Sequence, residues 1–266
     1  MTLSEAARDV VQPGHAETVQ FLLQDPAWSA YGLGYLESGS GFASSALAAT
    51  DGDRLQALVL LTQLPRLVHL FARGGAEGVE AILDELVRMD RAPMSGVFSV
   101  RSEVTRLLQD RFVVTTSYQM ARMRIKRAEL RPSRTAAVVR LGPRDLDRVR
   151  QIYGMWTDSN QLPAQLERGV YYGIYNGPQL ISIAGTHVVA WGARVAAIGN
   201  VLTHAAYRNR GLASTTTTAV AEELFERGCE EVVLNVRYGN EPARAAYYRL
   251  GFSDYCTFTE GVFHSR

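Results

Sequence analysis

The stretch from Ala196 to Gly228 constrains the fold of this chain more than any other. Ile198, Val201, Leu202 and Thr203 are apolar or β-branched and read as a largely buried strand. His204-Ala205-Ala206-Tyr207 turns into Arg208-Asn209-Arg210-Gly211-Leu212-Ala213, after which Leu212, Ala213, Thr216, Ala219, Val220, Leu224 and Phe225 recur near helical spacing. Arg227 and Gly228 are stop signals. The run Thr215 to Thr218 has poor helix propensity, so packing has to override it. At such a turn the first N–H groups of the helix have no partners, and the helix dipole adds positive potential. Gly211 lets backbone approach a ligand, and Arg208 and Arg210 add charge, so the turn suits a phosphate or pyrophosphate. On the loop alone, a plain strand–turn–helix with glycine relieving a tight turn explains the residues equally well.

A second block sharpens the reading. Arg208 to Ala213 reads R-x-x-G-x-A and resembles the acetyl-CoA signature of the GNAT superfamily of N-acetyltransferases. Asn240-Glu241-Pro242-Ala243-Arg244-Ala245-Ala246-Tyr247-Tyr248-Arg249-Leu250-Gly251-Phe252 is similar to that family's N-x-x-A-x-x-x-Y-x-x-x-G-F segment. A strand from Val232 to Val236 joins them, and the resemblance covers roughly the second half of the chain.

The resemblance implies an acetyl-CoA-dependent N-acetyltransferase in which a primary amine, on a small molecule or a peptide, attacks the thioester directly. Acetyl-CoA is the co-substrate and no metal is implied. The acetyl group would lie against Val201, Leu202 and Thr203, where family proteins carry a bulge whose N–H groups polarise the thioester carbonyl. Backbone amides of Asn209, Arg210, Gly211, Leu212, Ala213 and Ser214, with Arg208 beside them, would hold the pyrophosphate. Asn240 matches a family cofactor contact and also reads as a helix N-cap ahead of Pro242. Tyr247 matches the tyrosine that meets the departing sulfur. A phenol near 10 is a weaker acid than a thiol near 8.5, so full proton transfer is uphill by roughly 2 kcal/mol and a hydrogen bond is expected. A packed core tyrosine is the alternative. Other acyl or aminoacyl donors, or a cofactor binder without catalysis, remain open.

The general base is not written in the motifs. Many family members carry a glutamate on the central strand; Ala197 is the nearest match here, and no carboxylate occurs from Val195 through Tyr207. His187, His204, Asp158 and Glu167 are the candidates for taking a proton or attracting a cationic amine, and each also reads as an ordinary structural or surface residue. Deprotonating a lysine-like amine at pH 7 costs about 4.6 kcal/mol, an α-amine only about 1.

Before this region the chain repeats its order of elements. Ala16 to Leu23 reads as a helix, and the glycine-rich stretches Tyr31 to Tyr35 and Glu37 to Gly41 as a flexible loop. Ser45 to Thr50 and Leu55 to Leu61 form a hairpin around Asp51-Gly52-Asp53, followed by a strand at Leu67 to Phe71 and a helix carrying Val79, Ile82, Leu83, Leu86 and Val87. A strand at Gly96, a short helix from Ser102 and a strand from Tyr118 to Ile125 close the first half. Val138 to Leu141, a helix from Gly142 to about Met155, a hairpin from Tyr171 to His187 and a last strand at Tyr255 to Phe258 frame the second. The expected fold is α/β, with two GNAT-like domains in tandem, each a mixed central sheet flanked by helices. The first spans 1–130 and is degenerate; the second, 136–266, binds the cofactor. Ala76 and Glu77 of Arg73-Gly74-Gly75-Ala76-Glu77-Gly78 spoil the first phosphate loop, and Leu107 and Arg111 stand where the second half has Tyr247 and Gly251.

Composition excludes several classes. The chain has 266 residues, 47% hydrophobic and 21% charged, which suits one large or two small domains. A net charge of +1 gives no pull toward nucleic acid or membrane, and no apolar run reaches spanning length. Arg122, Arg124 and Lys126 alternate with Met123 and Ile125, which reads as the solvent face of a strand rather than a nucleic-acid patch. Cys229 and Cys256 indicate no disulfide framework, and Cys229 reads as a buried core residue. A cytoplasmic monomer or homodimer, without a signal segment, is expected.

Overall fold

Two runs of the chain build the same series of elements. The computed structural model describes residues 9–37, 40–154 and 162–266. The first run contains β1 (Val10–Val11), α1 (His15–Leu23), α2 (Pro26–Leu36), β2 (Ala43–Asp51), β3 (Arg54–Gln63), β4 (Val68–Gly74), α3 (Ala76–Arg88), β5 (Ser95–Arg101), α4 (Thr105–Arg111) and β6 (Phe112–Lys126). The second contains β7 (Val139–Arg140), α5 (Leu146–Tyr153), α6 (Leu162–Arg168), β8 (Tyr171–Asn176), β9 (Gln179–Ala190), β10 (Val195–Thr203), α7 (Leu212–Glu226), β11 (Glu231–Arg237), α8 (Glu241–Leu250) and β12 (Ser253–Ser265). The shared series is hairpin, strand, helix, parallel strand, helix, strand. The pairs β4–β5 and β10–β11 are parallel, and the hairpins β2–β3 and β8–β9 are antiparallel.

The compact units do not follow the linear division at 130. One unit comprises Met1–Asp25, Ser38–Met120 and Thr257–Arg266; the other comprises Pro26–Glu37 and Ala121–Cys256. The first unit's strands run β1-β2-β3-β4-β5-β12, with β12 antiparallel to β5 from Phe258 opposite Arg101 to His264 opposite Ser95. The second unit's strands run β6-β11-β10-β9-β8-β7. Each unit thus takes its closing strand from the other run of the sequence.

In the first unit, Val79, Ile82, Leu83 and Leu86 of α3 bury against Val59, Leu70, Phe98 and Val100. Only Gly75 separates β4 from α3, against His204 to Gly211 between β10 and α7. A Cβ on Gly74 would lie 2.3 Å from the Gln56 carbonyl oxygen, and one on Gly78 would lie 2.7 Å from Ala57 Cβ. Backbone and β3 fill the room that a phosphate would need. Arg73 donates to the Phe21 carbonyl and stacks 4.2 Å over the Phe21 ring, so its charge is turned to packing. Arg111 donates to Asp84 at 2.7 Å.

The second unit corrects two expectations. Tyr31 to Leu36 is not a loop: α2 is a helix whose Trp28, Ser29, Ala30, Gly32, Leu33 and Gly34 are all buried. Its glycines lower helix propensity by about 1 kcal/mol each, which is why the stretch reads as a breaker. Packing reverses that, because Gly34 is the point of close approach to β9. The second correction is Arg122, which is not on a solvent face. It is 1% exposed, donates to the carbonyls of Ala27 (2.9 Å) and Trp28 (2.7 Å) and to Asn235 Oδ1 (2.8 Å), and lies 5.0 Å over the Trp28 ring. Met123 and Ile125 enter the core on the other face, as their alternation requires.

The threonine run of α7 is buried throughout. Thr215 Oγ1 accepts from the Thr135 N–H and Thr218 Oγ1 from the Ser133 N–H, each at 3.1 Å, so one helix face docks residues 133–135. The hydroxyls of Thr215 and Thr218 supply partners that alanines could not, which offsets part of the poor propensity. α6 was not expected from the sequence; seven residues carry too little period to show. Among the described residues no helix is long and apolar enough to cross a membrane.

A Cβ added at Gly34 would sit 2.6 Å from Val188 Cβ, which cannot swing aside. Gly34→Ala should therefore destabilise the protein by about 1–2 kcal/mol, although in an exposed helix it would stabilise by about 1. Urea denaturation monitored by circular dichroism reads the sign, and a stabilised variant would refute the close packing of α2.

Candidate functional site

The site grows from an irregular stretch of β10. Val195 to Ile198 are buried and pair in parallel with Glu231 to Leu234, and there the β10–β11 pairing ends. Beyond it Gly199 to Thr203 are half-buried, so the two strands part and leave backbone edges open between them. On its other side β10 pairs with β9, but the register slips twice: between Ala197 opposite Val188 and Ile198 opposite Thr186, where β9 carries the extra residue His187, and between Gly199 opposite Gly185 and Leu202 opposite Ile183. At the second slip one extra residue stands in β10, and Asn200 takes φ 54°. A bulge of this kind frees backbone N–H groups from the ladder, and asparagine tolerates the left-handed region better than most residues.

Side chains hold the bulge. Tyr153 donates its hydroxyl to the Asn200 carbonyl at 2.5 Å. Asn200 Nδ2 donates to Tyr171 Oη at 2.8 Å and to Gln165 Oε1 at 3.2 Å, and Asn200 Oδ1 lies 3.2 Å from His187 Nε2. His187 Nδ1 lies 2.7 Å from Tyr31 Oη of α2, and their rings meet edge to face at 5.9 Å. The His187 ring covers Gly199, where any Cβ would come within 2.2 Å of Nε2. Burial pushes the phenols of Tyr153 and Tyr171 well above their ordinary range. His187 keeps solvent exposure, yet enough protein surrounds it that desolvation lowers its pKa, against a smaller raising effect of the Asn200 hydrogen bond.

The loop after β10 turns through two left-handed residues. Asn209 and Gly211 take φ 61° and 76°, and Gly211 caps α7 in the left-handed region. Arg208, Asn209, Arg210 and Gly211 are exposed, and Leu212, Ala213 and Ser214 form the first turn of the helix. Arg208 Nε donates to the Thr203 carbonyl at 3.2 Å and Arg210 to the Ala206 carbonyl at 3.3 Å, and among the described residues neither meets a carboxylate. Unpaired N–H groups, a helix N-terminus and two unneutralised cations form a cradle for an anion. Val201, Leu202 and Thr203 follow the bulge; Thr203 Oγ1 lies 2.8 Å from Ser182 Oγ.

Across the opening, Asn240 caps α8, its Oδ1 accepting from the Ala243 N–H at 3.3 Å. Tyr247 is 9% exposed and belongs to the same apolar cluster as Ile198, Val201 and Val236, with its ring edge to face with Phe252 at 5.9 Å. Its hydroxyl has no protein partner among the described residues, and burial raises its pKa to about 12. Tyr248 points elsewhere: it is 40% exposed and hydrogen-bonded to Asp254 and Arg244.

The other base candidates separate. His204 caps the 3₁₀ turn Ala205–Tyr207, its Nδ1 accepting from the Ala206 N–H at 3.3 Å, which is a structural role. Glu167 is exposed on α6. Asp158 lies outside the described residues. Cys229 is buried with its thiol pushed up to about 11, the state of an inert core cysteine. Sequence reasoning missed Tyr31, Tyr153, Gln165, Tyr171 and Asn200. The signal available was the Gly199-Asn200 pair inside a strand, a combination that marks bulges.

Comparison with known proteins converges on the same region. Residues 136–252 match the family model described as Acetyltransferase (GNAT) family. Mycothiol acetyltransferase of Corynebacterium aurimucosum is 38% identical over 85 residues, 30% of this chain and 27% of that protein. The N-alpha-acetyltransferase MAK3 of Arabidopsis thaliana is 48% identical over 46 residues, 17% of this chain and 24% of that protein. The chain therefore spans about a quarter of the length of each of these curated relatives. A tandem GNAT protein from the clavulanic acid biosynthesis pathway, solved without acetyl-CoA, superposes with a TM-score of 0.58 over 96% of this chain and 98% of its own, at 13% identity. At that identity the likeness is one of fold, and it extends over both units. Residues 136–252, with the bulged strand, the glycine turn and the tyrosine helix, are a domain of the GNAT acetyltransferase family.

Proposed function

We propose that the chain is an acetyl-CoA-dependent N-acetyltransferase with one cofactor site, formed by β10, the loop to α7, and α8. The observation that carries this reading is the bulge at Asn200 beside the end of β10–β11 pairing, placed one loop ahead of an unneutralised helix N-terminus. Val201, Leu202 and Thr203 present backbone to the thioester, where N–H donors stabilise the oxyanion that forms on attack. The turn from Arg208 to Ser214 binds the pyrophosphate, and Asn240 adds a polar contact without leaving its cap. Absence of such a loop after β4 leaves the first unit without a second site. The acceptor is a primary amine of a small molecule or peptide; mycothiol and N-alpha acetylation belong to the names of the two relatives. The chain acts in the cytoplasm, away from nucleic acid and membrane.

Tyr247 serves the leaving group by hydrogen bonding alone. With its pKa near 12, transfer of its proton to a thiolate of pKa about 8.5 is uphill by roughly 5 kcal/mol. A hydroxyl without a protein partner is free to donate to sulfur as charge develops there.

Two outcomes test the reading. Ser214 lies in the first turn of α7, so Ser214→Glu should stabilise the free protein slightly by opposing the helix dipole, by about 0.3–1 kcal/mol, while repelling a pyrophosphate. Acetyl-CoA at about a hundred times its dissociation constant should add roughly 2.7 kcal/mol to the wild type and nothing to the variant, read as thermal shifts. A wild type whose melting is indifferent to millimolar acetyl-CoA would refute the cofactor site. Tyr247→Phe should retain the wild-type melting temperature and lower the single-turnover rate roughly ten- to a hundredfold where chemistry limits turnover. Tyr248→Phe should leave that rate unchanged. Equal rates for wild type and Tyr247→Phe would assign this ring to the core only.

A further inference from the structure

We propose that Tyr153 of α5 is a positioning residue for acyl transfer: by holding the Asn200 carbonyl it turns the Val201 N–H toward the thioester oxygen. This role rests on reading the Asn200 bulge as the thioester site, and it deepens that reading by naming which donor of the bulge meets the oxyanion and what aims it.

The aim follows from the geometry of one peptide unit. The bond between Asn200 and Val201 is trans, so its C=O and N–H point to opposite sides. Val201 and Leu202 are successive strand residues, and their side chains go to opposite faces of the sheet. Leu202 packs against the cluster of Val149, Leu166 and Ile183 to which Tyr153 belongs, whereas Val201 packs against the cluster of Val220, Leu234 and Tyr247. Tyr153 therefore reaches Asn200 from the Leu202 face, and its 2.5 Å hydrogen bond draws the carbonyl to that face. The Val201 N–H is left pointing to the other, where Tyr247 and α7 lie. In a regular strand this peptide would lie in the plane of the sheet; the left-handed backbone of Asn200 turns it out.

Two features keep the peptide in that orientation. Burial raises the Tyr153 phenol well above its ordinary range, so it remains a donor well into alkaline solution. The Asn200 side chain is anchored separately, its Nδ2 donating to Tyr171 Oη at 2.8 Å and to Gln165 Oε1 at 3.2 Å, so the residue is held at both its carbonyl and its amide. When the amine lone pair bonds to the thioester carbon, the carbonyl π pair moves onto oxygen, and it returns as the C–S bond breaks. The Val201 N–H keeps its own proton throughout and stabilises the oxygen while it is charged. No reorganisation is needed at that moment, because Tyr153 has already fixed the peptide. Tyr153 lies on the opposite face and acts only through that peptide.

The test uses the full chain and acetyl-CoA labelled with ¹³C at the thioester carbonyl. In isotope-edited infrared spectra the carbonyl band of the wild-type complex should lie below that of free acetyl-CoA. In Tyr153→Phe at least half of that shift should be lost, while acetyl-CoA still stabilises the variant against heat. Tyr175→Phe removes another phenol beside the same cluster, one bonded to Asp145 at 3.2 Å, and should keep the wild-type band. A band equally low in Tyr153→Phe reduces Tyr153 to packing and overturns the positioning role. With alanine amide as the probe amine, CoA release at saturating acetyl-CoA should slow roughly ten- to a hundredfold in Tyr153→Phe, with the KM for acetyl-CoA nearly unchanged; a loss confined to KM overturns the role as well. The wild type supplies a second measurement that does not depend on the variant folding. Its Val201 amide proton resonance should move downfield with acetyl-CoA and not with ethyl-CoA, a thioether that lacks the carbonyl, and one position for both ligands overturns the assigned donor. A wild type whose melting acetyl-CoA leaves unchanged overturns the cofactor site beneath.

Discussion

One extra residue in β10 organises the second unit. A bulge costs a ladder hydrogen bond and bends the strand, so it persists only where other groups over-determine it. Here Tyr153 fixes the Asn200 carbonyl, Tyr171 and Gln165 fix its amide, and His187 lies across Gly199. The same bulge terminates parallel pairing with β11 at Leu234 and so opens the slot that the glycine turn and α8 border. Rigidity at Asn200 and openness at Val201 to Thr203 are therefore one feature seen from two sides.

Legibility of the sequence tracks the range of the interactions. The turn at Arg208 to Ala213 and the cap at Asn240 are local: a positive φ asks for glycine or asparagine, and a helix start asks for a side-chain acceptor, so the residues announce the geometry. The place of Tyr247 on the buried face of α8 follows from its spacing from Asn240 and Phe252. Tyr31 was not, because its meaning lies in a contact 156 residues away, and its neighbours Gly32 and Gly34 argue against the helix that makes the contact. Arg122 failed for a related reason. Alternation shows that it shares a face with Arg124, but not that α2 covers part of that face; Arg124 stays half-exposed beside Glu231 while Arg122 is enclosed.

The two runs of elements show how much of the site lies outside the fold. Both carry a strand and helix flanking a parallel pair, and the first has every element that positions a phosphate loop. Its β4 reaches α3 through Gly75 alone, and Gly74 and Gly78 press on β3 so closely that neither tolerates a Cβ. Shortening the connection converts an anion cradle into packing, and Arg73 accordingly stacks on Phe21. Fold is shared; function is grafted by loop length and a few side chains.

The acid–base demands of the proposed transfer fall unevenly on the two ends of the reaction. A thiolate with a pKa about 8.5 leaves readily near neutral pH, so it needs charge stabilisation and not a proton. The buried Tyr247, too weak an acid to give one up, suits that task. The amine end is different, because a nitrogen that has bonded to the acyl carbon expels the thiolate productively only once it has lost a proton; until then it is itself the better leaving group. The only described titratable side chain hydrogen-bonded to Asn200 whose ordinary titration lies near neutrality is His187. Tyr153 and Tyr171 are pushed so high by burial that they can only donate hydrogen bonds. Among the described residues, the network of phenols around Asn200 thus holds one imidazole, that of His187.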